Sequence, residues 1–79
     1  GRRPKASKEG HVTTSMPGTI VEVLVKEGDD IEAGAPVLIT EAMKMETEVQ
    51  APIGGKVTGV FVQKGDAVNP DEALVEIEA

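Results

Sequence analysis

The chain has 79 residues and a net charge of -6, which allows one small domain, leaves too little for a large catalytic cleft and disfavours a nucleic-acid partner. Cysteine is absent, which removes disulfides, thiolate chemistry and Cys-ligated zinc, and the single aromatic residue, Phe61, gives no platform for stacking bases. No apolar stretch is long enough for a membrane-spanning helix or a signal sequence, so a soluble, cytoplasmic segment of a longer protein is expected, without membrane insertion.

Residues 1–10 contain Arg2, Arg3, Lys5 and Lys8 but no Val, Ile, Leu, Met or Phe. With nothing apolar to bury, they are expected to form a flexible linker or tail. The domain is expected over residues 11–79, where 4 cations face 13 acids.

From His11 onward Gly and Pro recur every few residues and cut the chain into short runs rich in Val and Ile. Such runs predict strands, here over 19–26, 36–41, 45–50, 56–62 and 73–77. Thr40–Gln50 lacks Gly and Pro and is rich in helix formers. Its parity nevertheless favours a half-buried strand, with Met43, Met45, Thr47 and Val49 on one side and Lys44, Glu46, Glu48 and Gln50 on the other.

A shift of 37 residues superposes Gly18–Asp29 on Gly55–Asp66, with identities at 18/55, 23/60, 25/62, 28/65 and 29/66. The match continues through Ile31 on Val68, Val37 on Leu74 and Glu41 on Glu78. Two copies are too few for a solenoid. They predict an all-β fold: a flattened antiparallel β-barrel or sandwich (a barrel-sandwich hybrid) of two quasi-symmetric halves. Val23, Val25, Val60 and Val62 are the expected core, and Gly28-Asp29 and Gly65-Asp66 the expected equivalent turns. The same shift carries Lys44 to positions 7 and 81, so both chain ends are expected to lie together, opposite a free pole at Lys44.

That pole breaks a local rule. Tight hairpins use Asn-Gly, Asp-Gly or Gly-Gly, whereas this tip is Ala42-Met43-Lys44-Met45. Such departures are expected at functional sites. Displayed thioethers offer an adaptable contact surface, while the simpler reading is a solvated lysine, as for Lys26, Lys56 and Lys64. Glu41, Glu46 and Glu48 either steer a basic partner towards the tip or only keep the surface soluble.

Glu41-Ala42-Met43-Lys44-Met45-Glu46 within a repeated β half-barrel resembles the biotinyl (biotin carboxyl carrier) domain of biotin-dependent carboxylases. The resemblance spans residues 14–79 and includes Met16-Pro17-Gly18-Thr19 and Ala51-Pro52. One departure is Thr14-Ser15, where that family usually has Ala-Pro. Bacterial acetyl-CoA carboxylase carriers insert a "thumb" in the first half, and the constant offset of 37 leaves no room for one. The chain is therefore more similar to the pyruvate carboxylase and oxaloacetate decarboxylase type.

The resemblance implies that Lys44 carries covalent biotin, with Ala42, Met43, Met45 and Glu41 forming the recognition turn. A biotin protein ligase would activate biotin as its adenylate, and the deprotonated lysine amine would attack to give an amide. The arm would then shuttle carboxyl between a biotin carboxylase domain and a carboxyltransferase domain, to pyruvate or a related keto acid. The chain itself would be a non-catalytic carrier, monomeric in isolation, and tethering would hold it at millimolar effective concentration near both sites.

Three rivals make different demands on the sequence. A lipoyl domain has the same fold with a lysine at the same tip, but typically within Asp-Lys-Ala. An unmodified β interaction module would keep Lys44 as a free amine. A stand-alone enzyme has little to work with, since His11 is the only histidine and Ser7 and Ser15 the only serines. Asp29-Asp30-Ile31-Glu32 lacks EF-hand spacing and Gly54-Gly55-Lys56 lacks the rest of a P-loop, so no metal or phosphate site is expected.

Overall fold

The β-branched runs form eight strands in a computed structural model that describes residues 3–79; Gly1 and Arg2 of the expected tail lie outside the described residues. The strands are β1 (His11–Val12), β2 (Gly18–Val23), β3 (Asp30–Ile31), β4 (Pro36–Ala42), β5 (Met45–Gln50), β6 (Gly55–Val60), β7 (Ala67–Val68) and β8 (Val75–Glu78). They pair antiparallel into two four-stranded sheets, in the orders β1-β8-β6-β3 and β5-β4-β2-β7. The result is a flattened barrel-sandwich with both sheets open. The five long runs became β2, β4, β5, β6 and β8. The two-residue strands β1, β3 and β7 are too short for any periodicity to reveal.

The internal repeat is a symmetry of the backbone. A shift of 37 carries each strand of the order β5-β4-β2-β7 onto the matching strand of β1-β8-β6-β3. Bulges fall between Ile20 and Glu22 in one half and between Val57 and Gly59 in the other. The Ile20 amide donates to Asp66 O at 2.8 Å, and the Val57 amide donates to Asp29 O at 2.8 Å.

Gly28 and Gly65 take φ of 94° and 95°, the left-handed turn conformation that glycine permits. The Asp29 carboxylate accepts the Lys26 N–H at 3.0 Å, and Asp66 accepts the Gln63 N–H at 2.9 Å. The Lys26 backbone N–H, followed by the Lys26 side chain, holds the Asp29 carboxyl below its ordinary range.

The core between the sheets is aliphatic. Ile20, Val37, Leu38, Val57, Leu74 and Val75 are fully buried, each stabilising the fold by roughly 1.5–3 kcal/mol relative to exposure. Of the four valines expected there, Val62 is buried, while Val23, Val25 and Val60 only pack against the cluster from its margin. The bulges explain the difference. Each inserts one residue, so Ile20 and Val23 face inward although they are three apart, as do Val57 and Val60. Simple alternation passes over Ile20 and Val57, which sit deepest.

The amino-terminal segment is not free of the body. The Ala6 amide donates to Asp71 O at 2.9 Å, and the Ala73 amide donates to Pro4 O at 2.8 Å. Arg3 pairs with Glu72 at 3.3 Å and with Asp66 at 3.6 Å, and its guanidinium also donates to Ala67 O. Composition gave no sign of this because the contacts are backbone bonds and charges rather than apolar burial.

They also correct the expected placement of the chain ends. Ala67 pairs with Thr19, and Thr19 with Glu41, so Arg3 meets the sheet at the level of the Ala42–Met45 turn. Glu78 pairs with Lys56 at the other end. Residues 7–10 lead back to β1, where buried His11 contacts the Glu76 carboxylate through Nε2 at 3.0 Å while its Nδ1 accepts the Ser7 N–H at 3.1 Å. Among the described residues no helix is long and apolar enough to cross a membrane.

Candidate functional site: the β4–β5 turn

Thr40–Gln50 holds the end of β4, a turn and β5, as the runs 36–41 and 45–50 predict, and the turn breaks the single parity expected through Met43 and Lys44. Glu41 pairs with Glu46 and Ala42 with Met45, so Met43 and Lys44 alone make the connection. Their φ values are 53° and 66°. Two successive positive φ values are the signature of the type I′ turn, whose twist matches the flanking strands. Sequence chemistry argued against that turn here, and the register of β4 on β5 imposes it regardless. Placing ordinary side chains in the left-handed region stores about 1–2 kcal/mol per residue.

The strained turn displays its side chains outward. Lys44 is exposed, Met43 is 85% exposed and Met45 69%. Among the described residues no carboxylate lies within ion-pair distance of Lys44, whereas Lys26 pairs with Asp29 and Lys56 with Asp30. Its amine is thus available to a reagent from solvent.

The two faces of the hairpin differ. On the outer face Glu41 opposes Glu46, and Ile39 has Glu48 on one side and Glu22 on the other. Four carboxylates therefore share one patch. Glu22 had been missed because only the pairing of β2 with β4 brings it there.

On the inner face, Thr40 opposite Thr47 and Ala42 opposite Met45 continue the row of buried Leu38 beyond the end of the core. A groove of about 430 Å³ lies there, walled on its far side by Thr13–Met16. His11, Asp29 and Asp66 are engaged in hydrogen bonds of their own, with Glu76, Lys26 and Gln63.

A lysine held on a left-handed turn at the tip of a duplicated β-sandwich defines a carrier domain of the biotinyl and lipoyl class. The family described as "Biotin-requiring enzyme" matches residues 10–77, and the chain belongs to it.

Relatives include the pyruvate carboxylase of Staphylococcus aureus, 46% identical over 96% of this chain and 7% of that one. The 2-oxoglutarate carboxylase large subunit of Hydrogenobacter thermophilus is 56% identical over 95% of this chain and 12% of its own length. Among solved structures, the Kluyveromyces lactis urea carboxylase superposes with a TM-score of 0.82 at 28% identity, over 99% of this chain and 7% of that one. The chain spans only about a tenth or less of the length of these carboxylases. Within the family its place is that of a biotin carboxyl carrier domain.

Proposed function

We propose that Lys44 Nζ is the atom to which biotin is bonded, through an amide made by a biotin protein ligase. The loaded arm then carries carboxyl from a biotin carboxylase domain to a carboxyltransferase domain acting on pyruvate or a related keto acid. Biotin supplies the carboxyl-accepting ureido nitrogen when bound; the chain supplies position. The observation that carries the reading is the exposed amine of Lys44 on a turn whose strained conformation only the β4–β5 register maintains.

The neighbouring residues divide the work. Ala42 and Met45 close the hairpin, Met43 and Met45 frame the lysine with polarisable contact surface, and Glu41 with the other outer carboxylates attracts a basic ligase face. Residues 11–79 act as the carrier and residues 1–10 as its tether, whose polar hold on the body is released at little cost in apolar burial. The domain works as a monomer in the cytoplasm, where ligase and ATP meet it.

Lys44→Arg keeps the charge but removes the acylable amine. Co-expressed with a biotin ligase, it is expected to give no streptavidin signal and an unchanged mass with the fold intact. Labelling that persists at Lys26, Lys56 or Lys64 would refute the assignment.

A further inference from the structure

The chain has no cysteine, tryptophan or tyrosine, so its three methionines, Met16, Met43 and Met45, hold all of its sulfur. Thioethers commonly fill gaps in aliphatic cores, yet none of the three is used in that way. They are 44%, 85% and 69% exposed, while the core is built from Val, Ile, Leu and Ala. All three also stand at one end of the molecule. Met43 and Met45 flank Lys44, and Met16 belongs to the opposite wall of the recess beside the β4–β5 turn. Any two-electron oxidant that meets this chain is therefore directed to the surroundings of one lysine.

We propose that Met43 and Met45 form a reversible oxidation site that controls the loading of Lys44, an inference that rests on Lys44 as the attachment point. The oxidant class is a hydroperoxide. The thioether sulfur attacks the O–O bond and takes one oxygen, so an S=O bond forms, sulfur loses two electrons, and hydrogen peroxide is reduced to water. A dithiol-dependent sulfoxide reductase reverses the step: two thiols supply the electrons and become a disulfide, and the oxygen leaves as water.

Exposure decides both the rate and the consequence. A solvated thioether reacts without local unfolding, and its polar, chiral sulfoxide stays in water, so the packed core loses nothing. The effect falls instead on whatever surface closes over the turn. A partner that reaches Lys44 meets Met43 on one side and Met45 on the other, because both are its neighbours in the chain. Oxidation turns that adaptable apolar contact into a pair of strong acceptors, and an acceptor buried without a donor is costly.

The test treats the 79-residue chain with hydrogen peroxide, removes the peroxide and maps the added oxygen by mass spectrometry. Met43 and Met45 are expected to oxidise ahead of Met16, within about twofold of the rate of free N-acetylmethionine amide. The melting temperature should not change. A purified biotin ligase with ATP and biotin is then expected to load Lys44 with kcat/KM lowered about tenfold, the effect of one unpaired polar oxygen in the contact. Incubation with the reductases for both sulfoxide epimers and a dithiol should restore the rate. Met43→Leu combined with Met45→Leu, whatever its starting rate, should load equally fast before and after peroxide. Met16→Leu should slow on oxidation as much as wild type.

If the untreated chain gains no biotinyl mass at Lys44, the attachment reading fails and this inference falls with it. If the untreated chain is loaded, three results overturn the oxidation site alone: the oxidised chain loads at the untreated rate, the reductases leave the loss in place, or the double variant slows as much as wild type.

Discussion

Replacing Met43 by glycine tests whether the turn is strained. Met43 has φ of 53° and a side chain 85% exposed, so its removal forfeits almost no buried surface. An L-residue in the left-handed region costs about 1–2 kcal/mol, which glycine avoids. Glycine in turn loses more freedom on folding, about 0.5–1 kcal/mol. The balance favours the variant by about 0.5–1 kcal/mol. For a domain of this size, that is a rise in melting temperature of about 2–8 °C. Calorimetry or urea titration of the unmodified protein measures it directly. A lower or unchanged stability would show that register does not force this turn against residue preference. Lys44 is untouched, so stability is read separately from modification.

Two further changes probe the rest of the frame. A Cβ on Gly55 would meet Glu78 O at 2.1 Å, and one on Gly18 would meet Glu41 O at 2.6 Å. Gly55 also has φ of 151°. Alanine at either site should destabilise, Gly18→Ala by about 1–3 kcal/mol and Gly55→Ala by more, and urea denaturation giving neutral variants or the reverse order would contradict the symmetric close approach. Hydrogen bonds from His11 first, then Thr58, hold the Glu76 carboxyl below its ordinary value of 4.5. A depressed carboxylate adds stability that is complete above the ordinary value and lost as pH falls through the folded one. Glu76→Gln should therefore flatten the loss of stability below pH 4.5, and an unchanged acid slope would assign that loss to other groups.

Much of the frame was legible because it is written twice. The offset of 37 that aligned Gly28-Asp29 with Gly65-Asp66 also aligns their aspartate-capped turns, the paired bulges and the order of strands in each sheet. Lys44 was legible as the odd residue of an otherwise regular pattern. The groove was not, because its walls come from Thr13–Met16 and from a hairpin nearly 30 positions later. Nor was the hold on Arg3, whose partners Asp66 and Glu72 are remote in sequence and contribute charge rather than hydrophobic period.

Local chemistry was enough to determine the five longer strands, the duplication and the lysine between two methionines, since each depends on residues close together or repeated at one spacing. Tertiary structure alone decided which valines lie deepest, how Met43 and Lys44 came to adopt left-handed conformations, and that the amino-terminal segment returns to the level of the hairpin. Those outcomes depend on strand register and on cross-sheet packing. Both are set by the summed burial of the whole core, which overrides the preference of any single residue.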